Sequence, residues 1–312
     1  MTKPAVPPHE PRGETMKSVA ITGSSGLIGS ALVRALEAGG RRVVRVVRRE
    51  ARSDSEIAWN PVRGEIDARR LEGVDAIVNL AGENLAQRWS EDVKRRIRDS
   101  RVPSTTLLAR TIANLEVKPR TFLSGSAIGI YGDRGDVELD ESSTLGDDFL
   151  SSVCKEWEAA TAAASNAGIR VVHLRTGIVL AKHGGALEKM MLPFRFGVGG
   201  KIGSGQQWLS WIALSDIARA LTFLLDRDDV SGAVNLVAPN PVTNEEFART
   251  LGQVMHRPSF FSVPRAALTI VMGEMADDTV LASQRAKPAR LASAGFAFDL
   301  PRLEQALRAM LA

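Results

Sequence analysis

Seven residues near the start of the chain, Gly23-Ser24-Ser25-Gly26-Leu27-Ile28-Gly29, have the types and spacing to hold a diphosphate. The pattern is G-x-x-G-x-x-G rather than G-x-G-x-x-G, and the physics is shared. Gly23 permits a turn that a Cβ would block. Gly26 lets the backbone approach a pyrophosphate, and Gly29 lets a helix lie close on the preceding strand. The free N–H groups and positive end of that helix then face the anion. Ser25, Leu27 and Ile28 stand in the same loop and are expected to border the ligand. A second stretch, Val46-Val47-Arg48-Arg49, ends a strand with no acid before Glu50. An acid at that point would hold the ribose hydroxyls of NAD. A guanidinium instead holds a 2′-phosphate through paired hydrogen bonds. Arg48, at the strand's end, is therefore the expected contact. NADP(H) is favoured, and NAD(H) stays open as the alternative. Arg41, Arg42, Arg45, Arg49 and Arg52 share the run, and runs of this kind are usually only solvated.

The elements that must position these residues alternate. Val19-Ala20-Ile21 reads as a strand, followed by a helix with Leu27, Ile28, Ala31, Leu32 and Leu36 on one face. Gly39-Gly40 stops it. Further strands are expected at 43–47, 75–80, 120–124 and 169–175, with helices at 91–98, 104–114 and 148–167. This order predicts an α/β fold, a Rossmann-type doubly wound parallel sheet. After about Thr176 the pattern changes. Residues 177–211 are Gly-rich and irregular, with a helix near 187–196. Helices at 215–225 and 301–311 and a strand at 233–237 follow. Thr243-Asn244-Glu245-Glu246 has the form of a capping box and opens another helix. The expected division is a flexible tail over 1–15, an NADP-binding domain over 16–176 and a smaller C-terminal substrate-binding part over 177–312. Some segments of that part are expected to return to the first domain.

Composition excludes several classes. The 312 residues carry 40 Lys plus Arg against 36 Asp plus Glu, a net of +4, too mild to mark a nucleic-acid binder. Hydrophobic residues at 44% and charged residues at 24% exclude a mainly disordered chain. A single cysteine, Cys154, excludes an intrachain disulfide and a multi-cysteine metal site. His183 and His256 lack metal-type spacing, and no metal is expected. No apolar run approaches the roughly 20 residues that span a bilayer. The first fifteen residues hold Pro4, Pro7, Pro8 and Pro11 and no apolar core, so no secretory peptide is expected there. A cytoplasmic protein, monomeric or homodimeric, with a small-molecule substrate and neither nucleic acid nor membrane as partner, is the expectation.

The motifs Thr22 to Gly29, Asn79-Leu80-Ala81-Gly82, Ser124-Gly125-Ser126-Ala127 running into Ile130-Tyr131-Gly132, and Leu174-Arg175-Thr176-Gly177 carry a resemblance. With them the chain resembles the extended short-chain dehydrogenase/reductase superfamily, in its NAD-dependent epimerase/dehydratase branch. Ala81-Gly82-Glu83, Arg88-Trp89, Cys154 to Glu158, Gly203-Ser204-Gly205, Trp211-Ile212 and the closing Gln284 to Leu291 with Gly295-Phe296 are similar to one subfamily of nucleotide-sugar epimerases with its own C-terminal module. The resemblance covers the chain from about Lys17 to its end. It implies that Ala81 and Gly82, following Leu80, pass beneath the adenine-ribose side of the cofactor and that Ser124, Gly125 and Ser126 border the nicotinamide.

Catalysis in that superfamily uses Tyr-x-x-x-Lys, the Tyr moving a proton while the Lys holds the nicotinamide ribose. The one tyrosine of this chain, Tyr131, has Gly135 four residues on, so it is not that Tyr. The resemblance matches the Lys to Lys155, with Ser151 four residues before it. The expected catalytic residues are Ser126, Lys155 and Tyr131, with a packing role for Tyr131 as the alternative. Cys154 is read as a buried thiol or a nucleophile beside Lys155, and His173 as a core histidine. Glu83, Arg175, Gly203, Gln207 and Trp211 are the expected substrate contacts; Arg175 could instead form an edge ion pair, and Trp211 could be core. The implied activity is that of an NADP-binding oxidoreductase or epimerase, acting on a small polar or sugar-like substrate by nicotinamide hydride transfer. A cofactor-binding regulator or scaffold without turnover is the second expectation, favoured by the absent Tyr.

Overall fold

The computed structural model describes residues 16–264, 268, 273 and 275–311. The tail expected over 1–15 lies outside them. Along the first half run β1 (Ser18–Thr22), α1 (Leu27–Ala38), β2 (Arg42–Val47), β3 (Glu56–Asn60), β4 (Glu65–Ile66), β5 (Ala76–Asn79), α2 (Glu91–Asp99), α3 (Val102–Ala113), β6 (Thr121–Ala127), β7 (Glu138–Leu139), α4 (Phe149–Ala159), α5 (Ala162–Asn166) and β8 (Arg170–Thr176). The second half adds β9 (Ile178–Leu180), α6 (Gly185–Arg195), β10 (Gly200–Ile202), β11 (Trp208–Leu209), β12 (Trp211–Ala213), α7 (Leu214–Leu225), β13 (Gly232–Leu236), β14 (Val242–Thr243), α8 (Asn244–Met255), β15 (Phe261–Val263), β16 (Arg285–Ala286), α9 (Ala289–Ser293) and α10 (Leu303–Leu311).

Eight strands form one sheet in the order β13-β8-β6-β5-β1-β2-β3-β4. Every pairing is parallel except β3 with β4. The expected doubly wound sheet is therefore present, and strand order reverses beside β1. Ligands bind at such a crossing, outside the carboxyl ends of the strands. Apolar side chains fill both faces. Ile21, Leu32, Leu36, Leu221 and Leu224 share one cluster, and Val44, Ile57, Ile77, Phe122 and Leu108 share the other. β13 and α7 come from beyond Thr176 yet complete the main sheet and its first cluster, so the sheet is not contained in 16–176.

Two elements depart from expectation for physical reasons. β3 was not anticipated, because Glu56 breaks its apolar pattern. Arg49 pairs with both Glu56 carboxylate oxygens, at 2.8 and 2.5 Å, which makes the acid tolerable beside the sheet. The helix expected over 148–167 is two helices, α4 and α5, broken around Ala160 and Thr161. The capping box is half formed: Thr243 Oγ1 accepts from the Glu246 N–H at 3.2 Å. Asp216 stands in the first turn of α7, where an acid suits the helix dipole. Among the described residues no helix is long and apolar enough to cross a membrane.

Candidate functional site

Gly23 makes the turn out of β1 with φ +65°, and a Cβ there would stand 2.6 Å from the Leu80 carbonyl oxygen. A Cβ on Gly29 would stand 2.2 Å from the Gly23 carbonyl oxygen. The loop is thus folded tightly enough that larger residues would force it open. It feeds α1, whose first turn carries no acidic side chain. These features form a backbone cradle suited to a diphosphate, and the residues present fit a dinucleotide.

The cradle opens on a cavity of about 300 Å³. Gly23, Gly26, Leu27, Ile28, Gly29 and Leu80 line it. So do Gly125, Ser126 and Ala127, at the carboxyl end of β6. α4 contributes Leu150, Val153, Cys154 and Trp157, a stripe at helical spacing. The loop and the end of β6, both expected to border the cofactor, therefore meet in one space.

Ser126 is 5% exposed and donates its hydroxyl hydrogen to Glu158 Oε1 at 2.7 Å. Arg175 donates from Nε to Glu158 Oε1 at 2.8 Å and from Nη2 to Oε2 at 3.0 Å. Burial pushes the Glu158 carboxyl up, but the hydrogen bonds and charge of Arg175, aided by His173 and Ser126, hold it below the ordinary carboxylate range. His173 itself is pushed down by burial and by Arg175, against the pull of Glu158. Thr161 donates its hydroxyl hydrogen to the Glu158 carbonyl, so the His173 Nε2 at 2.9 Å is the donor to Thr161 Oγ1.

Several expected site residues stand elsewhere. Lys155 is exposed and does not line the cavity. The reason is helical geometry: Leu150, Val153, Cys154 and Trp157 take the cavity side, and Lys155 is one residue, 100°, past Cys154. The pairs four residues apart on the cavity side are Leu150 with Cys154 and Val153 with Trp157. Tyr131, expected as an acid, is fully buried; its hydroxyl donates to Asn235 Oδ1 at 2.8 Å and accepts from Arg175 Nη1 at 3.0 Å. Arg175, expected against substrate, is consumed by the Glu158 pair and by Tyr131. Trp211 is core, fully buried, with its indole N–H donated to the Asn240 carbonyl at 3.1 Å. Gln207 is buried and donates to the carbonyls of Ile202 and Val280. Gly203 donates its N–H to the Val263 carbonyl beside β10. Glu83 accepts from Gln87 and does not reach the cavity lining. Ser124 is fully buried with an unpartnered hydroxyl, and Ser25 is exposed on the loop. Ala81 and Gly82 follow Leu80, their backbone held near β1 by the bond from Ala81 N–H to Thr22 Oγ1 at 3.2 Å.

Cys154 is no nucleophile here: it is 4% exposed, and burial pushes its thiol up to about 12. Arg48 is exposed at the end of β2. Its neighbours are engaged, Arg45 with Glu37 and Arg49 with Glu56, while Arg48 has no ion pair among the described residues. Two residues of the site were not anticipated. Glu158 lies within a quoted motif but carried no role; its place one turn after Cys154 is the available signal. Arg101 has no sequence signal and is found only through the cavity it lines.

The model of the NAD dependent epimerase/dehydratase family matches residues 19–237, and that of a domain of unknown function, DUF1731, matches residues 263–310. The epimerase family protein ML0860 of Mycobacterium leprae is 45% identical over 290 residues, covering 93% of this chain and 94% of that one. The crystal structure of human epimerase family protein SDR39U1 with NADPH superposes with a TM-score of 0.87 at 36% identity, over 94% of this chain and 98% of that one. That of a nucleoside-diphosphate sugar epimerase from Corynebacterium glutamicum gives 0.79 at 38%, over 94% of this chain and 58% of that one.

Proposed function

Because the chain belongs to the NAD-dependent epimerase/dehydratase family and uses NAD(P)(H), we propose that it is an NADP(H)-preferring oxidoreductase or epimerase acting on a small polar or sugar-like substrate. One observation carries this reading: the glycine cradle and Ser126 line a single cavity. The backbone N–H groups left free at the start of α1 hold the diphosphate, that of Gly26 being given to the Gly23 carbonyl, and Arg48 holds the 2′-phosphate. When bound, the nicotinamide supplies two-electron exchange with a substrate carbon.

The chain's own residues manage the proton. Ser126 gives its hydrogen to Glu158, so its Oγ lone pairs are left to accept from a substrate hydroxyl. As the substrate O–H bond breaks, its proton passes to Ser126 Oγ and the Ser126 proton passes to Glu158 Oε1. Reduction runs the same two transfers backwards. Arg175 keeps Glu158 ionised and oriented for this, as a positioning residue. The apolar stripe of α4 limits water around the reacting oxygen.

One observation favours a second reading, a cofactor-binding regulator without turnover. Leu150 and Cys154 take the cavity-facing positions, and neither offers an acid near neutral pH. Calorimetry with NADPH and NADH, followed by a panel of carbonyl compounds and nucleotide sugars monitored by nicotinamide absorbance and product composition, separates the two. Tight NADPH binding with turnover or epimerisation supports the enzyme; tight binding with neither across a wide panel supports the regulator. Arg48→Asp is expected to weaken NADPH by tenfold or more, about 1.4 kcal/mol, with NADH little changed. An unaltered NADPH affinity removes Arg48 from the site.

A further inference from the structure

Among the residues that line the cavity, Arg101 alone is charged. It precedes α3 and is 9% exposed. Nη1 donates to the Ile97 carbonyl at 2.9 Å and to Ser100 Oγ at 3.3 Å, and Nη2 donates to the Glu83 carbonyl at 3.0 Å. The guanidinium lies 5.1 Å over the Trp157 ring and against Gly82, 3.2 Å from where a Cβ would stand. No carboxylate forms an ion pair with it among the described residues, and its Nε and one Nη2 hydrogen have no partner there. Burial pushes its pKa down, more than the nearby Cys154 and Glu83 draw it back up.

A cation in that position is costly unless something compensates it. The carbonyl at the end of α2 offsets part of the cost through its partial negative charge. Trp157, over which the guanidinium lies, stands 2.6 Å from where a Gly125 Cβ would be, so Arg101 lines the cavity close to the carboxyl end of β6. α4 lines that cavity with Leu150, Val153, Cys154 and Trp157, which carry no charge to compete for a ligand.

We propose that Arg101 binds the oxygen-rich nicotinamide-ribose half of the cofactor and supplies the site's only positive charge at that end. The inference rests on the cofactor reading above and assigns Arg101 to one half of the molecule. Arg48 and the adenosine half are separate from it.

The test is calorimetric binding to the full-length protein with three probes: NADPH, reduced nicotinamide mononucleotide and adenosine 2′,5′-bisphosphate. Arg101→Gln is expected to weaken NADPH by tenfold or more and to weaken the mononucleotide in proportion. Adenosine 2′,5′-bisphosphate should stay within twofold, which also reports that the fold is intact. Arg101→Lys, which keeps the charge, should recover most of the NADPH affinity, and it decides the matter if R101Q does not fold. NADPH binding by R101Q within twofold of the parent overturns the assignment while leaving the cofactor reading standing. Equal losses for both halves in R101K also overturn it, because they mark a structural role. A parent protein that binds neither NADPH nor NADH defeats both.

Discussion

Glu158 accepts hydrogen bonds from Ser126 and from two nitrogens of Arg175, with side-chain exposures of 12% for the acid and 6% for the arginine. Removing one partner of a buried pair strands the other, so Glu158→Gln should cost roughly 3 kcal/mol of stability. The pH dependence has a definite sign. The native carboxyl is held below 4.5, the value for a free side chain, so its contribution is complete above 4.5 and is lost as pH falls through the native value. The parent should lose stability over that acid window in denaturant titrations, and E158Q should lack this part of the slope. Turnover in the oxidative direction should fall over the same limb, because a protonated Glu158 cannot take the Ser126 proton. A turnover profile with the same acid limb in E158Q would place the titrating group elsewhere. At this scale the sequence was readable where chemistry follows from backbone: the glycine loop and the end of β6 stand where their spacing put them. It was misleading where a side chain's partner lies far along the chain. Nothing local says that Tyr131 meets Asn235, 104 residues on, or that Arg175 spends its donors on Glu158 rather than on substrate.

Between elements, a chain of buried hydrogen bonds ties the strand ends together. Thr22 Oγ1 donates to Asn79 Oδ1 at 2.6 Å, and Asn79 Nδ2 donates to Thr105 Oγ1 at 2.8 Å. The Trp157 indole N–H donates to the same Thr105 oxygen at 2.9 Å. β1, β5, α3 and α4 are thereby held at fixed distances, with Trp157 against the cavity. Thr105→Val preserves shape and removes the acceptor from two buried donors. The expected loss is about 1–3 kcal/mol for each donor left unpaired. Thermal or denaturant unfolding checks this, and NADPH affinity should fall with the displaced indole. A variant as stable as the parent would show that Asn79 and Trp157 find other partners. The alternation of strand and helix made the parallel sheet legible, since apolar runs of the right length suffice for that. The orientation of α4 was harder. Matching by motif selected Lys155, whereas the apolar stripe at 150, 153, 154 and 157 selects Cys154, and burial of that stripe decides which side faces inward.

Across the whole molecule, part of the C-terminal stretch joins the first core, while Leu303, Ala306 and Leu307 of α10 pack with Trp211 and Phe247 in the smaller C-terminal part. Leu291 and Phe296 belong to the same apolar cluster as Ile21 and Leu32, and burial of each contributes about 1.5–3 kcal/mol. β16 pairs with β7, and the Lys287 carbonyl accepts from Asn235 Nδ2 at 2.9 Å. Asp216, fully buried on α7, accepts the backbone N–H groups of Asp299 at 2.9 Å and Leu300 at 3.0 Å. An acid so placed bonds residues 83 and 84 positions away, partners that its place in the first turn of a helix does not announce. Asp216→Ala leaves those two N–H groups without their acceptor, at roughly 1–3 kcal/mol each. The loss should appear as a lower midpoint in a single unfolding transition, because the tether joins parts of one core. Two transitions instead of one would mean that the closing segment melts independently. The stronger form of the same argument is truncation. A chain ending at Val263 keeps the glycine loop, Arg48, Arg101 and Ser126, but uncovers the apolar surface beneath Leu291 and Phe296. It should lose cooperative unfolding and bind a hydrophobic dye. If it melted cooperatively and held NADPH as tightly as the full chain, the closing segment would be separable from the core, and its contacts with α7 and β13 would be incidental to the site.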